Sequence, residues 1–165
     1  MIYEYLIVGL VPEPLKSRIA MMQARWQFRK QMLPPHITIV PPFQVPGFST
    51  KASVLNQAGS LLEARIKIQG YSSFQNQKEN VACLKIFSPD LEELLRVLKE
   101  DLSQLREPLE RKKIVFHISI ARGIPNPELE RVMTELQTEP FQETFILDKL
   151  TIYQREIGKS WYEIL

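Results

Sequence analysis

The chain has 165 residues, an apolar fraction of 44% and a formal net charge of +2. This length predicts one compact domain or two small lobes that share a core, and the near-balanced charge excludes a general polyanion-binding surface. The single cysteine, Cys83, excludes an internal disulfide and favours a reducing compartment. With no membrane-length apolar run and no basic start ahead of the first apolar segment, we expect a cytoplasmic protein without a transmembrane helix.

The first half of the chain predicts a strand, a helix, a second strand, a second helix and two further strands. Strands are predicted at 3–10, 36–40, 64–70 and 72–76, and the second helix near 49–63. The first helix has apolar residues at helical spacing, namely Leu15, Ile19, Met22 and Trp26. Pro34 and Pro35 end this helix, and Pro41-Pro42-Phe43 is expected to close the strand at 36–40.

The second half predicts the same order of elements. Strands are predicted at 81–87, 114–121, 141–147, 149–155 and 160–164. One helix follows the capping pair Ser88-Pro89 and carries the leucines Leu91, Leu94, Leu95, Leu98, Leu102 and Leu105. The other follows Asn126-Pro127, expected as its cap, and carries Leu129, Val132, Met133 and Leu136. The repeat of element order predicts an α+β fold of two similar lobes, residues 1–77 and 78–165, with antiparallel sheets around a central groove.

The only two histidines lie in matching segments, His36-Ile-Thr-Ile and His117-Ile-Ser-Ile, which are 117 − 36 = 81 residues apart. Side chains alternate between the faces of a strand, so His36 shares a face with Thr38, and His117 shares one with Ser119. The aliphatic residues between them are expected to anchor each strand in the core. Two such strands at one groove would present two imidazoles and two hydroxyls.

Imidazole titrates near neutral pH, so one histidine can accept a proton while the other donates one. Cleavage of a phosphodiester requires this pair, a base for the attacking water and an acid for the departing sugar oxygen. The hydroxyls of Thr38 and Ser119 can donate hydrogen bonds to the phosphate oxygens. We assign His36 as the acid and His117 as the base, although the near-symmetry of the motifs leaves the reverse assignment open.

Three further residues are candidates for ligand contacts, each with a structural alternative. Arg122 could grip a phosphate, but strict alternation places it opposite His117 unless the strand ends at Ala121. Phe43 could stack on a base or pack in the core, and Tyr153 could stack on a ligand or serve a structural role. A basic cluster that could attract an RNA end, or simply form a solvated loop, consists of Arg106, Arg111, Lys112 and Lys113.

The segments 35–40 and 116–122 resemble the paired motifs of the two-histidine (2H) phosphoesterase superfamily, and its 2′-5′ RNA ligase/cyclic phosphodiesterase branch is the most similar. The resemblance implies a bilobal α+β fold and catalysis without a metal or other cofactor. It implies catalytic roles for His36 and His117 and phosphate-binding roles for Thr38 and Ser119.

The expected function is hydrolysis of 2′,3′-cyclic phosphates on RNA ends or nucleotides, or of related cyclic or 2′-5′ phosphodiesters. The expected partner is an RNA end or a small nucleotide, bound by a monomer that does not associate with membranes. Two alternatives stay open at this point. One is an RNA-end or nucleotide-binding module of the same fold without turnover, and the other is a structural protein whose histidines only pack.

Overall fold

The computed structural model describes residues 2–44, 63–75, 79–102 and 114–164. The predicted helix near 49–63, Leu105 and the basic cluster at 106–113 lie outside the described residues, apart from residue 63. The strands are β1 (Tyr3–Leu10), β2 (His36–Phe43), β3 (Ala64–Gln75), β4 (Asn80–Phe87), β5 (His117–Ile124), β6 (Gln142–Leu147), β7 (Leu150–Glu156) and β8 (Tyr162–Glu163). The α-helices are α1 (Leu15–Arg25), α2 (Pro89–Asp101) and α3 (Leu129–Gln137), the last preceded by a 3₁₀ turn at Asn126–Glu128.

The strands form two four-stranded sheets in the orders β2-β1-β7-β8 and β5-β4-β3-β6, and every neighbouring pair is antiparallel. This architecture confirms the predicted α+β class. Each sheet combines strands from both halves of the chain, because β7 completes the sheet of β1 and β2, and β3 completes that of β4 and β5. The two histidine strands, β2 and β5, are the edge strands of their sheets and contact each other.

The helices bury the apolar faces that their periodicity predicted. The fully or nearly buried helical residues are Ile19, Leu91, Leu95, Leu98, Val132 and Leu136, with Trp26 and Leu102 just beyond the helix ends. Ser88 caps α2 as expected, since its Oγ accepts a hydrogen bond from the Leu91 amide at 3.2 Å. Asn126 is not a helix cap: its Oδ1 accepts a hydrogen bond from Asn80 Nδ2 at 2.6 Å, and α3 begins only at Leu129.

Three predicted strand boundaries were wrong. The two strands expected at 64–70 and 72–76 are one strand, which bends at Gly70 (φ 81°) instead of ending there. Strand β2 continues through its two prolines to Phe43, which pairs with Tyr5, because β1 is its only partner among the described strands and an edge strand tolerates proline. Strand β5 begins at His117 and extends to Ile124, so it is displaced by three residues from the predicted 114–121.

Within the described residues, no helix is long and apolar enough to cross a membrane.

Candidate active site

The two histidine strands present their motifs in the same way. The isoleucines one and three positions after each histidine are fully buried. The histidines and hydroxyl residues between them are half-buried, namely His36, Thr38, His117 and Ser119. The residue before the second histidine, Phe116, is also buried. Each imidazole therefore stands beside a hydroxyl on a backbone that the hydrophobic core holds in place, which confirms the predicted alternation over these positions. We refer to His36, Thr38, His117 and Ser119 as the two-histidine site.

Both strands break their alternation at the same motif position. In β5, Ser119 pairs with Cys83 and Ala121 with Ala82, so that Ile120 is an extra residue. In β2 the corresponding extra residue is Ile39, between Thr38 and Val40. These register shifts have the geometry of β-bulges, in which two residues of one strand oppose one residue of the other.

The bulge in β5 changes the face on which Arg122 lies. Arg122 pairs with Val81, which is on the same face of β4 as Cys83, the partner of Ser119. Arg122 therefore shares a face with Ser119 and His117, contrary to the expectation from strict alternation. The extra residue shifts the alternation by one position. The corresponding position in β2, 122 − 81 = 41, is occupied by a proline, so only one of the two motifs has a guanidinium.

Each histidine is oriented by the carbonyl two residues before it. His36 Nδ1 lies 2.8 Å from the Pro34 oxygen, and His117 Nδ1 lies 2.7 Å from the Val115 oxygen. A carbonyl oxygen only accepts, so we assign the proton of each neutral ring to Nδ1. In that tautomer Nε2 has a free lone pair, and it becomes a donor when the ring is protonated. The ring atom available for proton transfer is thus the same on both strands.

The surroundings favour neutral imidazoles. Burial is the main cause of a lowered pKa at His36, and the charges of His117 and Arg122 lower this pKa further, against the opposing effect of the Pro34 hydrogen bond. Burial is also the main cause of a lowered pKa at His117, where the charge of Arg122 adds to it and the Val115 hydrogen bond opposes it. The charge of Arg122 thus lowers the pKa of both rings, and that of His117 also lowers the pKa of His36.

The hydroxyls of Thr38 and Ser119 are not used in hydrogen bonds to the described residues. Both side chains are half-buried beside an imidazole. The backbone of this region is held from the other half of the chain, because Gln23 Nε2 donates to the Ser119 carbonyl at 2.8 Å. This contact ties α1 to the second histidine strand.

Arg122 is half-exposed and belongs to an ion-pair network. Its Nε donates to Glu79 Oε1 at 2.9 Å, and Arg29 Nη1 donates to the other oxygen of the same carboxylate at 3.1 Å. Burial raises the pKa of Glu79, but the hydrogen bonds and charges of the two arginines outweigh that effect and hold the pKa below its ordinary value. Glu79 was not among the residues that the sequence singled out.

The two aromatic candidates are buried. Phe43 is only 7% exposed and packs against Tyr5 with 5.9 Å between ring centroids. The structure therefore places Phe43 in the core rather than on a surface where it could stack. Tyr153 is 6% exposed and packs with Leu6 and Val8. Tyr153 pairs with Leu6 of β1, and His36 pairs with Leu10 of the same strand. Leu6 and Leu10 are 10 − 6 = 4 residues apart and share a face, so Tyr153 lies on the face of the first sheet that carries His36.

Phe74, which the sequence did not single out, lies directly against a histidine. Its ring packs edge-on against His117, with centroids 4.9 Å apart, and it is 38% exposed. Phe74 pairs with Val81 of β4, and His117 pairs with Lys85, which is 85 − 81 = 4 residues further along the same strand. Phe74 therefore has the same position relative to His117 that Tyr153 has relative to His36 in the other sheet. β3 belongs to the first half of the chain but joins the sheet of β4 and β5, and β7 belongs to the second half but joins the sheet of β1 and β2. The correspondence between Phe74 and Tyr153 therefore follows from strand pairing and not from the order of residues in the sequence.

Within the described residues, no three histidine, cysteine, aspartate or glutamate side chains are grouped so that they could hold a metal ion. Cys83 is buried, and its Sγ contacts the Ser72 carbonyl at 3.5 Å.

The sequence of residues 11–159 matches the family model of the 2′-5′ RNA ligase superfamily. The fold is similar to that of Escherichia coli LigT in its apo form, with a TM-score of 0.61 and 15% identity over 100% of this chain and 96% of that one. It is also similar to TT0787 of Thermus thermophilus, with a TM-score of 0.58 and 15% identity over 100% and 96% of the two chains.

A third similar structure is Kluyveromyces marxianus Usb1 with uridine monophosphate, with a TM-score of 0.56 and 14% identity over 98% of this chain and 97% of that one. No curated protein matches the sequence. The chain belongs to the 2′-5′ RNA ligase superfamily, which confirms the family that the paired histidine motifs indicated.

Proposed function

We propose that this protein is a metal-independent phosphodiesterase that hydrolyses 2′,3′-cyclic phosphates of RNA ends or nucleotides. The observation that carries the proposal is the matched presentation of two Nδ1-anchored imidazoles, each beside a hydroxyl, on two edge strands in contact. Membership of a superfamily of phosphoesterases and RNA ligases supports this class of chemistry. The similar Usb1 structure with uridine monophosphate supports a nucleotide as the ligand.

In the proposed reaction, a neutral histidine accepts a proton from water at Nε2 while the water oxygen attacks phosphorus. The bond from phosphorus to one ribose oxygen breaks, and that oxygen takes a proton from Nε2 of the other, protonated histidine. The ring opens to a phosphomonoester and a free hydroxyl, with one water consumed. Proton exchange with solvent then restores the starting protonation states of the two rings.

We assign His117 as the base and His36 as the acid. Arg122 lies on the strand of His117, and Lys85 is the residue that pairs with His117 across the sheet. The corresponding neighbours of His36 are a proline and Leu10, both uncharged. Positive neighbours disfavour a protonated imidazole, so they help to keep His117 neutral, which is the form from which a base accepts the proton of water.

Charge that develops on the phosphate oxygens requires donors that are already in place. Thr38 and Ser119 would donate from the two sides, and Arg122 would add a positive charge on the His117 face. Phe74, which is partly exposed beside His117, would border the bound nucleotide, whereas Tyr153 at the matching position of the other sheet is buried. Phe43 has no part in this proposal because its ring is buried in the core.

The proposal is tested with purified protein and the four 2′,3′-cyclic nucleotides in EDTA, with products separated by chromatography. We expect a nucleoside monophosphate as product, and the position of its phosphate identifies the ester bond that breaks. A His36→Ala, His117→Ala double variant is the control and should yield no product. Turnover that survives in the double variant, or that requires an added metal, would contradict the mechanism. Binding without product would instead support a nucleotide-binding module of the same fold.

A further inference from the structure

A buried carboxylate binds Arg122, the arginine that shares a face of β5 with His117 and Ser119. Glu79 precedes β4, and its side chain is only 4% exposed, whereas its two arginine partners are about half-exposed. One carboxylate oxygen accepts from Nε and Nη2 of Arg122, and the other accepts from Nη1 of Arg29. Charge-assisted hydrogen bonds of this kind are stronger than neutral ones, and the Nε–Nη2 edge of a guanidinium is a planar, directional donor.

These hydrogen bonds determine which part of Arg122 is available to a ligand. A guanidinium has five N–H donors, and Glu79 uses one on Nε and one on Nη2. Among the described residues, the donors of Nη1 and the second donor of Nη2 are left for another anion. The carboxylate therefore fixes the side-chain rotation of Arg122 on the face where His117 and Ser119 lie.

The second arginine connects this arrangement to the other histidine strand. Arg29 lies in the segment between α1 and β2, which leads into His36, whereas Arg122 is part of β5. The backbone permits their approach because Gly123 has a φ of 69°, and a Cβ on it would lie 3.0 Å from Cβ of Arg29. Glu79 thus joins the segment before one motif to the end of the other.

We propose that Glu79 is a positioning residue for the two-histidine site, which holds Arg122 for the phosphate and balances the positive charge that Arg122 presents there. This inference deepens the proposed function and rests on it for its kinetic consequences. The electrostatic consequences do not depend on turnover. Removal of Glu79 should leave Arg122 less well oriented and more strongly positive in its effect on both imidazoles.

The charged groups around the histidines give the expected signs. His36 is influenced by His117 and Arg122, and His117 by Arg122, with Lys85 its partner on β4. Behind Arg122 lie Glu79 and then Arg29. Loss of the carboxylate charge should make protonation of both histidines harder, and loss of the Arg122 charge should make it easier.

The experiment compares Glu79→Gln, Arg122→Gln and the double variant by NMR titration of the two imidazoles and by cyclic-nucleotide kinetics. The chain has only two histidines, so single-histidine variants assign both signals. We expect both titrations to move to lower pH in Glu79→Gln and to higher pH in Arg122→Gln. In kinetics, Glu79→Gln should lower kcat/KM on the order of 10-fold, which is the effect of a lost hydrogen bond to a charged group. In the double variant, where Arg122 is already replaced, Glu79→Gln should lower kcat/KM no further.

Two additional variants separate charge, position and folding. Glu79→Asp keeps the charge but shortens the reach, so kcat/KM should fall while the histidine titrations stay in place. Glu139→Gln removes the exposed Arg25–Glu139 ion pair, 3.2 Å long, and should change neither readout. Thermal unfolding of each variant shows whether its fold is retained.

The inference would be overturned if Glu79→Gln left both titrations unchanged, or if its kinetic effect added fully to that of Arg122→Gln. Absence of turnover in the unmodified protein would refute the proposed function instead. In that case the NMR titrations would still decide the role of Glu79.

Discussion

Ile39 and Ile120, 81 residues apart, are the extra residues of two matching register shifts, each at the fourth position of its histidine motif. Both side chains are fully buried, and each is followed by a second buried residue, Val40 or Ala121. The two motifs are thus alike in backbone geometry as well as in sequence. Both imidazoles are also anchored in the same way, through Nδ1 to the carbonyl two residues before the histidine.

The lowered pKa values of both histidines predict an acidic optimum. Burial and the charge of Arg122 favour the neutral rings, so protonation of the acid requires a pH below the ordinary imidazole value of 6.5. We expect a bell-shaped profile of kcat/KM with its maximum below about 6.5, falling as pH rises through neutrality because the acid loses its proton. A pH series of initial rates at low substrate measures it, and a maximum above pH 8 would contradict these assignments.

The two hydroxyls should matter for rate rather than for folding. Thr38→Val and Ser119→Ala each remove one donor to the phosphate oxygens, and we expect kcat to fall on the order of 100-fold with little change in the unfolding midpoint. Steady-state kinetics and thermal unfolding measure both effects. The exposed hydroxyls of Thr144 and Ser73 provide matched controls, as Thr144→Val and Ser73→Ala, and should retain full activity. An equal loss in these controls would refute the specific role of Thr38 and Ser119.

Phe74 should help to orient His117. An edge-on aromatic pair contributes about 0.5–1.5 kcal/mol, so we expect Phe74→Leu to lower kcat/KM by up to about 10-fold. Because the side chain is partly exposed, the free energy of unfolding should change by less than about 1 kcal/mol. Phe87→Leu, at another exposed phenylalanine, is the control for general effects. Full activity of Phe74→Leu would mean that the ring contact has no role in catalysis.

The thiol of Cys83 should be inert in the folded protein. Burial raises its pKa to about 11, so almost no thiolate exists near neutral pH. We expect reaction with Ellman's reagent at pH 8 to be slow in the native state and fast in denaturant. Fast reaction without denaturant would show that the second sheet opens readily at this position.

The sequence predicted the parts of the fold that depend on local periodicity. The faces of α1 and α2 and the pairing of each histidine with its hydroxyl follow from spacing alone, and the structure confirms them. The predicted face of Arg122 was wrong because the position of a bulge depends on the partner strand. Two adjacent apolar residues such as Ile120 and Ala121 do not show in the sequence which of them is left without a partner.

Other parts of the site depend on contacts between distant segments. Phe74 reaches His117 only because β3 joins the sheet of β4 and β5, and nothing near Phe74 in the sequence indicates this exchange. Glu79 is close to Arg122, 122 − 79 = 43 residues away, because it precedes β4, the strand that pairs with β5. Phe43 is buried because β2 continues past its prolines, which local rules for proline do not predict.

The most direct test of the central claim is single-turnover hydrolysis of a 2′,3′-cyclic nucleotide in EDTA by the unmodified protein and by His36→Ala and His117→Ala separately. If both histidines transfer protons, each single variant should lose at least about 100-fold in rate, and each should remove one limb of the pH profile. Loss of the acidic limb in His117→Ala and of the alkaline limb in His36→Ala would assign the base and the acid as proposed. Full turnover in either single variant would contradict the paired-histidine mechanism.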